Sequence, residues 1–258
     1  MKKIFAQERH KLILDKLAQQ SSVTIKELAS SLNVSEATLR TDLTKLEQQN
    51  LLRRTHGGAI LVDPNELDTS FSTRQMKNKD EKVAIAKAAV KTILNNQCIM
   101  LDASSTALEL AHQLKDSPYR LTVVTSGLKV AMELNDSPQI TVILLGGIVK
   151  QGSCSLEGTL GAEILNKIHV DQLFTSSNGF SEEAGFTDFS VYEVELKKRM
   201  VKAATKTTVL LDHTKIDRNS IAAFAEITDI DTFITDQPVS DKYVELFKKH
   251  HIELIVTD

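Results

Sequence analysis

The sequence predicts a two-part α/β protein: a small, mainly helical N-terminal domain, then a larger domain built on a largely parallel sheet. Three observations predict it. Apolar residues recur at helical spacing through the first part of the chain, where basic groups outnumber acidic ones. A polar stretch containing Pro64 then breaks the pattern. From residue 83 onward, short β-rich runs alternate with amphipathic segments. The expected divisions are residues 1–61, a linker at 62–82, and residues 83–258.

At 258 residues the chain is longer than one ordinary domain, and 41% hydrophobic with 25% charged is ordinary globular composition. Its longest largely apolar stretch, Ile140 to Leu145, falls far short of the ~20 residues a membrane span needs. The first helix-like stretch mixes charges through its apolar positions, unlike a signal peptide. Cys98 and Cys154 lack CxxC spacing and are too few for a disulfide framework. A cytoplasmic protein is expected, with secretion and membrane insertion excluded. The formal net charge is −3, but residues 1–60 carry ten Lys/Arg against six Asp/Glu. A basic head on an acidic body implies that only the head meets a polyanion.

The elements follow in order. A first helix is expected over about Phe5 to Gln20, with Ile13, Leu14 and Leu17 on one face. Thr24, followed three residues later by Glu27, is a capping-box signature for a second helix whose apolar face is Leu28 and Leu32. A short Leu32-Asn33-Val34 turn leads to Ser35, placed to cap a third helix with Leu39, Leu43 and Leu46 inward. Arg40, Thr41, Thr44, Lys45 and Gln48 then face outward, and Asn50 is placed to end the helix in a left-handed conformation. Leu51 to Ile60 reads as two short strands around a Gly57-Gly58 turn.

Two helices joined by a tight turn, the second polar and basic on its outer face, have the geometry of a helix-turn-helix. Ser35, Glu36, Thr38, Arg40 and Thr41 are the expected readers of bases or phosphates. Lys45, Arg53, Arg54 and His56 are expected against phosphates, positioning the domain without reading sequence. A small helical bundle with a solvated basic face would share this spacing. The run Val34 to Leu61 (VSEATLRTDLTKLEQQNLLRRTHGGAIL) also resembles the DNA-binding signature of the DeoR family of bacterial transcriptional regulators, ending in the wing sequence His56 to Ala59. In that family a winged helix-turn-helix precedes a sugar-phosphate-sensing domain. Thr41 stands where the family usually has a second arginine, which removes a possible phosphate or guanine contact, so the operator sequence does not transfer. Asn50 stands where it usually has glycine, and Asn tolerates the same backbone conformation.

In the body, strands are expected at Cys98 to Asp102, Thr122 to Ser126, Thr141 to Gly147, Leu173 to Gly179, Thr208 to Asp212 and Thr232 to Asp236. Amphipathic segments lie between them at Ala107 to Leu114, Leu128 to Leu134, Val191 to Thr205 and Asp241 to His250. Continuous apolar strands alternating with helices argue a parallel sheet, whose ligands bind outside the carboxyl ends of the strands. Ser104-Ser105-Thr106 opens a helix after Asp102, so backbone N–H groups, hydroxyls and the helix dipole suit a phosphate. Gly146-Gly147 with Lys150 just beyond, and Ser177-Asn178-Gly179, are further loops of this kind. Lys197 or Lys215 is a candidate cation; Asp102, Glu193 and Asp212 are candidate acceptors for sugar hydroxyls. Each feature also has an ordinary structural reading, as a cap, a turn or a surface pair.

The family resemblance continues through LDASSTALELAHQL, VVTSGLKVAMEL, ILLGGIVKQGSCSLEGTLG, LFTSSNGFSEEAGFTD, YEVELKKRM and LLDHTK. It implies an effector domain resembling ribose-5-phosphate isomerase. Carried over by motif, the implied pocket is Asp102, Ser104, Ser105, Thr106, Thr125, Ser126, Gly146, Gly147, Lys150, Asn178, Gly179, Glu193, Lys197, Asp212 and Lys215. Ser104 stands where many relatives have Gly, and Ser126 where many have Asn. The reading is a repressor of sugar uptake or catabolism genes with no catalytic residues and no cofactor. Its partners are operator DNA, a phosphorylated sugar and further copies of itself, as a dimer or tetramer. Two rival readings are a sugar-phosphate isomerase, for which Asp102, Glu193, Lys197 and Lys215 would supply acid, base and cation, and a DNA-binding protein whose body only assembles. No His/Cys/acid group has metal-ligand spacing and no GxxxxGK[ST] run is present.

Overall fold

The computed structural model describes residues 5–20, 22–48, 51–60, 70–149 and 152–257, which divide into units at Met1–Lys77 and Asn78–Asp258. The first unit is built from α1 (Ala6–Gln20), β1 (Ser22–Thr24), α2 (Ile25–Leu32), α3 (Glu36–Gln48), β2 (Arg53–Thr55), β3 (Gly58–Ile60) and the short α4 (Phe71–Met76). Ile13, Leu17, Leu28, Leu39, Leu43 and Leu46 are all buried in one core with Val23, Ile25, Leu51, Leu52 and Ala59. The capping box forms as the sequence implies. Thr24 Oγ1 accepts from Glu27 N at 3.2 Å, and the Glu27 carboxylate accepts from Thr24 N at 2.9 Å. The chain leaves α2 through Asn33 at φ 52°, a left-handed residue that satisfies an end carbonyl by donating its N–H to Ala29 O. Ser35 Oγ then accepts from Thr38 N at 3.2 Å as the chain turns into α3.

A buried ion pair seats α3. The Arg9 guanidinium of α1 donates to both carboxylate oxygens of Asp42, at 2.5 and 3.0 Å, and His10 Nε2 lies 3.0 Å from the same carboxylate. Burial opposes charge on Asp42, but the Arg9 and His10 hydrogen bonds win and hold its pKa below the usual carboxylate range.

Several features of this unit differ from the sequence reading. The hairpin turns at His56-Gly57, and Gly58 already belongs to β3. Its reason is the strand β1, which the sequence reading did not see. β1 pairs antiparallel with β3, and a Cβ on Gly58 would stand 1.9 Å from the Val23 carbonyl oxygen. Asn50 lies outside the described residues, as do Leu61 and residues 62–69 of the expected linker. Within the remainder of that stretch, α4 and the first turn of α5 (Lys79–Val90) are helical. α4 has only six residues with a single buried side chain, Phe71, which is too short for a periodic signal.

The second unit continues with β4 (Cys98–Leu101), α6 (Ser105–Lys115), β5 (Leu121–Thr125), α7 (Leu128–Leu134), β6 (Ile140–Leu144), β7 (Ile148–Val149), β8 (Leu156–Glu157), β9 (Val170–Thr175), β10 (Gly179–Ser181), β11 (Gly185–Asp188), α8 (Val191–Ala203), β12 (Ala204–Leu210), β13 (Ala222–Ala225), β14 (Thr232–Thr235), α9 (Asp241–Lys249) and β15 (Glu253–Val256). Seven of these strands form one parallel sheet in the order β15-β14-β12-β9-β4-β5-β6. From β4 the chain runs outward through β5 and β6, then returns to the other side of β4 at β9. The topological switch therefore lies between β4 and β9, where α/β sheets open a crevice.

Each expected strand is present with shifted ends; β9, for example, starts at Val170 and stops at Thr175 rather than reaching Gly179. The sequence reading missed β15, the β7–β8 ribbon and a second, antiparallel sheet β10-β11-β13. That small sheet is held by tertiary packing of aromatic rings. Phe180 and Phe186 stack at 4.4 Å and share a buried core with Phe224, Phe233, Tyr243 and Phe247.

Candidate functional site

Two surfaces carry the candidate residues. On α3, Glu36, Arg40, Thr41 and Lys45 are exposed on the side opposite Leu39, Leu43 and Leu46, with Ser35 exposed just before it. Thr38 is half-buried and its hydroxyl lies 2.9 Å from that of Ser35. Arg40 makes an exposed pair with Glu36 at 3.5 Å, a contact of little strength that an anion can displace. In the hairpin, Arg53 and His56 are exposed. Arg54 is not placed like them. Its guanidinium donates to Thr44 Oγ1 at 2.7 Å and its backbone N–H to the Glu47 carboxylate at 2.8 Å, so it straps the wing to α3. The side chain of Gln48 lies outside the described residues.

The second surface is the carboxyl edge of the parallel sheet. Register aligns Leu101 with Thr125 and Phe174, Thr125 with Leu144, and Thr175 with Val209, so the residues just beyond these strands stand in one row. At its centre Asp102 is fully buried. It accepts from Ser104 N at 2.9 Å, Thr175 Oγ1 at 2.7 Å and Ser176 N at 2.9 Å, and pairs with Lys197 Nζ at 3.1 Å. Lys197 is equally buried. Its ammonium donates to Ser176 O at 2.7 Å and Asp188 at 2.6 Å, lies 3.9 Å from Glu193, and faces the Phe224 ring. Burial disfavours the charge on each, yet Lys197 is pushed above its ordinary pKa by the Asp102, Asp188 and Glu193 carboxylates. Asp102 is held below its own by Lys197 and by its hydrogen bonds.

These contacts of Asp102 and Lys197 run to the protein's own groups. They lock the ends of β4 and β9 to α8. Glu193 joins the same cluster, and its N–H caps onto Ser190 Oγ, which itself donates to the buried Glu157 at 3.0 Å. The sequence reading singled out neither Asp188 nor Glu157.

Hydroxyls, backbone N–H groups and Lys215 stand along the same edge. Ser104 Oγ caps α6 by accepting from Ala107 N at 3.0 Å. Ser105 and Thr106 follow as the first two helical residues, whose N–H groups have no place in the intrahelical ladder. Ser177, immediately after Asp102's partner Ser176, is buried with a hydroxyl that has no hydrogen-bond partner among the described residues. Lys215 Nζ donates to Asn178 Oδ1 at 3.1 Å, and Asn178 N lies 3.1 Å from Asp188, which ties this pair to the buried cluster. Asp212 caps the short 3₁₀ turn His213–Lys215 by accepting from Thr214 N at 3.1 Å.

On the other flank, Thr125 Oγ1 accepts from Gly127 N at 3.0 Å and the Ser126 carbonyl from Leu156 N at 2.8 Å. Gly146 and Gly147 are needed for contact with the protein itself. A Cβ on Gly146 would stand 3.2 Å from Gly161 Cα, tighter than an ordinary contact, and one on Gly147 would meet the Glu157 carbonyl at 2.8 Å. Gly179 opens β10, with the Arg218 carbonyl close against it. Lys150 lies outside the described residues. Among the described residues no helix is long and apolar enough to cross a membrane.

Comparison with known proteins assigns both halves. Residues 9–65 match the DeoR-like helix-turn-helix domain and residues 77–237 the DeoR C terminal sensor domain. The chain is 45% identical, over 95% of its length and 96% of the relative's, to the HTH-type transcriptional regulator GolR of Listeria innocua. It is 33% identical to the HTH-type transcriptional repressor GlcR of Bacillus subtilis over 99% and 98% of the two chains. To the glycerol-3-phosphate regulon repressor of Escherichia coli it is 28% identical over 96% and 97%. Among solved structures, ribose 5-phosphate isomerase A of Methanocaldococcus jannaschii overlaps 54% of this chain and 55% of its own, with 18% identity and a TM-score of 0.41. Matched in both domains and by full-length relatives, the chain belongs to the DeoR family of helix-turn-helix transcriptional regulators and is a regulator rather than an enzyme.

Proposed function

We propose that the chain is a cytoplasmic repressor of sugar uptake or catabolism genes whose affinity for operator DNA is set by a phosphorylated sugar. In this reading residues 1–61 bind DNA, residues 62–82 link, and residues 83–258 sense the sugar and assemble the protein into a dimer or tetramer matched to a symmetric operator. The exposed face of α3 enters the major groove, with Arg40 the side chain best suited to guanine and Lys45, Arg53 and His56 against phosphates. Two relatives named as repressors, one of them of a glycerol-3-phosphate regulon, support the assignment of sign and of ligand class.

One observation carries the sensing half: a helix N-terminus, the unpartnered buried hydroxyl of Ser177 and the Lys215 ammonium stand along one strand-end row. Such a row offers donors to an anion. The effector then shifts the balance between subunit arrangements that present α3 and the wing differently, and linkage requires DNA and effector to alter each other's affinity equally.

Arg40→Ala is expected to weaken binding to DNA upstream of the protein's own gene by about 1–3 kcal/mol and to relax preference at one base pair. Fluorescence anisotropy at fixed salt with competitor DNA reads both, and unchanged affinity and preference would remove α3 from the groove. Lys215→Ala is expected to leave DNA affinity without ligand unchanged and to weaken the sugar-phosphate response at least tenfold in ligand concentration. A full response at the wild-type concentration would take Lys215 out of the pocket.

A further inference from the structure

Asn78 is the first residue of the second unit, immediately after the chain leaves the DNA-binding unit at Lys77. It is not a passive join. Its backbone sits at φ 50°, ψ 47°, the left-handed region, directly before α5. Its side-chain Nδ2 donates to Asp212 Oδ1 at 2.9 Å and to Thr214 Oγ1 at 3.0 Å, across a sequence separation of 134 and 136 residues. The Thr214 hydroxyl donates in turn to Asp212, so the amide's two hydrogens, the hydroxyl and the carboxylate form a closed set. Asp212 and Thr214 belong to the 3₁₀ turn that ends in Lys215, whose ammonium reaches Asn178 on the strand-end row.

We infer that Asn78 is the positioning residue that couples the ligand site to the DNA-binding unit. The inference rests on the sensing reading above. A ligand that engages Lys215 must draw on the turn 212–215, and the Asp212–Thr214 pair held by Asn78 bonds that turn to the start of the second unit. Moving the turn therefore either carries residue 78 with it or breaks two hydrogen bonds. Either way the chain leading into α4 and the DNA-binding unit differs between the liganded and free states, which is the differential contact that coupling needs. An asparagine suits the position because it tolerates the left-handed backbone and offers two donors at once.

The test uses the full-length protein and two variants that keep the backbone. Asn78→Gly adopts φ 50° without strain and deletes the amide; Asn78→Asp retains the shape but sets a carboxylate against Asp212. Operator affinity is measured by anisotropy with and without glycerol 3-phosphate, glucose 6-phosphate, fructose 1-phosphate, fructose 6-phosphate and inorganic phosphate. Direct binding of the same compounds is measured by calorimetry. Both variants are expected to bind operator without ligand, and to bind the active sugar phosphate, within threefold of wild type. The ligand-induced change in operator affinity is expected to fall at least fivefold. Asn78→Gly combined with Thr214→Val is expected to lose no more coupling than Asn78→Gly alone. Full coupling in Asn78→Gly would overturn the inference, as would loss of ligand binding itself, which would make Asn78 part of the pocket. A wild type whose operator affinity no compound changes would overturn the sensing reading, and the role of Asn78 with it.

Discussion

Replacing Lys197 with methionine is expected to cost the second unit about 3–5 kcal/mol of stability, the range for removing one partner from a buried ionic network. Methionine matches the stem in volume, so little of the loss comes from a cavity. What remains is Asp102, Asp188 and Glu193, three carboxylates that are each nearly solvent-free and that lose their shared cation. The carbonyl of Ser176 loses its donor as well. Chemical denaturation followed by far-ultraviolet circular dichroism reads the effect, and a loss below about 1 kcal/mol would show that the cluster is not the clamp described above. The pH dependence has a definite sign. Lys197 is raised above its unfolded value, so its contribution is complete below about pH 10 and fades only at higher alkalinity. Asp102 is lowered, so its contribution is complete above about pH 5 and is lost as pH falls through its folded value. The Asp102–Lys197 pair is therefore inert across neutral pH, as suits a support that must not respond when the neighbouring site does.

Asp42→Ala is the corresponding lesion in the DNA-binding unit and is expected to cost about 2–4 kcal/mol. It leaves the Arg9 guanidinium, mostly buried, with neither of its carboxylate bonds and frees the seat of α3 on α1. The cost is set slightly below that of Lys197→Met because Arg9 keeps some access to water. Hydrogen exchange of the full-length protein should show protection of α1 and α3 amides falling by about thirtyfold or more, with the second unit unaffected. Equal protection in wild type and variant would mean that the ion pair contributes nothing to seating α3. Asp42 is held below the ordinary carboxylate range, so the stability it confers is present above about pH 4–5 and lost as pH falls through its folded value. The variant should lack that part of the acid dependence.

The parts of the fold legible in the sequence are those whose cause is local. Thr24 with Glu27, Ser35 before an apolar repeat, and Leu39, Leu43 and Leu46 at helical spacing each specify a helix end or face within a few residues. The parallel strands announce themselves as continuous apolar runs that end in hydroxyls and acids. What stayed hidden depends on distant partners. β1 is three residues long and is a strand only because β3, more than thirty residues later, lies beside it. The β10-β11-β13 sheet carries Ala222, Ala223 and Ala225, residues of low strand preference, and is made by the packing of Phe180, Phe186 and Phe224.

The site divides the same way. The types of residue at the strand ends were readable, but their tasks were not, because tasks depend on which neighbours have already claimed their donors and acceptors. Asp102 and Lys197 turn out to satisfy each other; Arg54 turns inward to Thr44; the glycines at 146 and 147 admit the protein's own backbone. Ser177 stood in a candidate loop, but its unpartnered buried hydroxyl shows only in the structure. Asn78 carried no motif, and is noticed because its amide reaches across the unit to Asp212.

The central claim is that DNA affinity and sugar-phosphate binding are linked through one chain. Its most direct test is the anisotropy of the full-length protein on DNA upstream of its own gene, at fixed salt and with competitor DNA, titrated with sugar mono- and bisphosphates. The account predicts sequence-specific binding that one sugar phosphate changes by roughly 5–150-fold, the span of a typical allosteric coupling. Specific binding indifferent to every compound would contradict it and reduce the second domain to an assembly module.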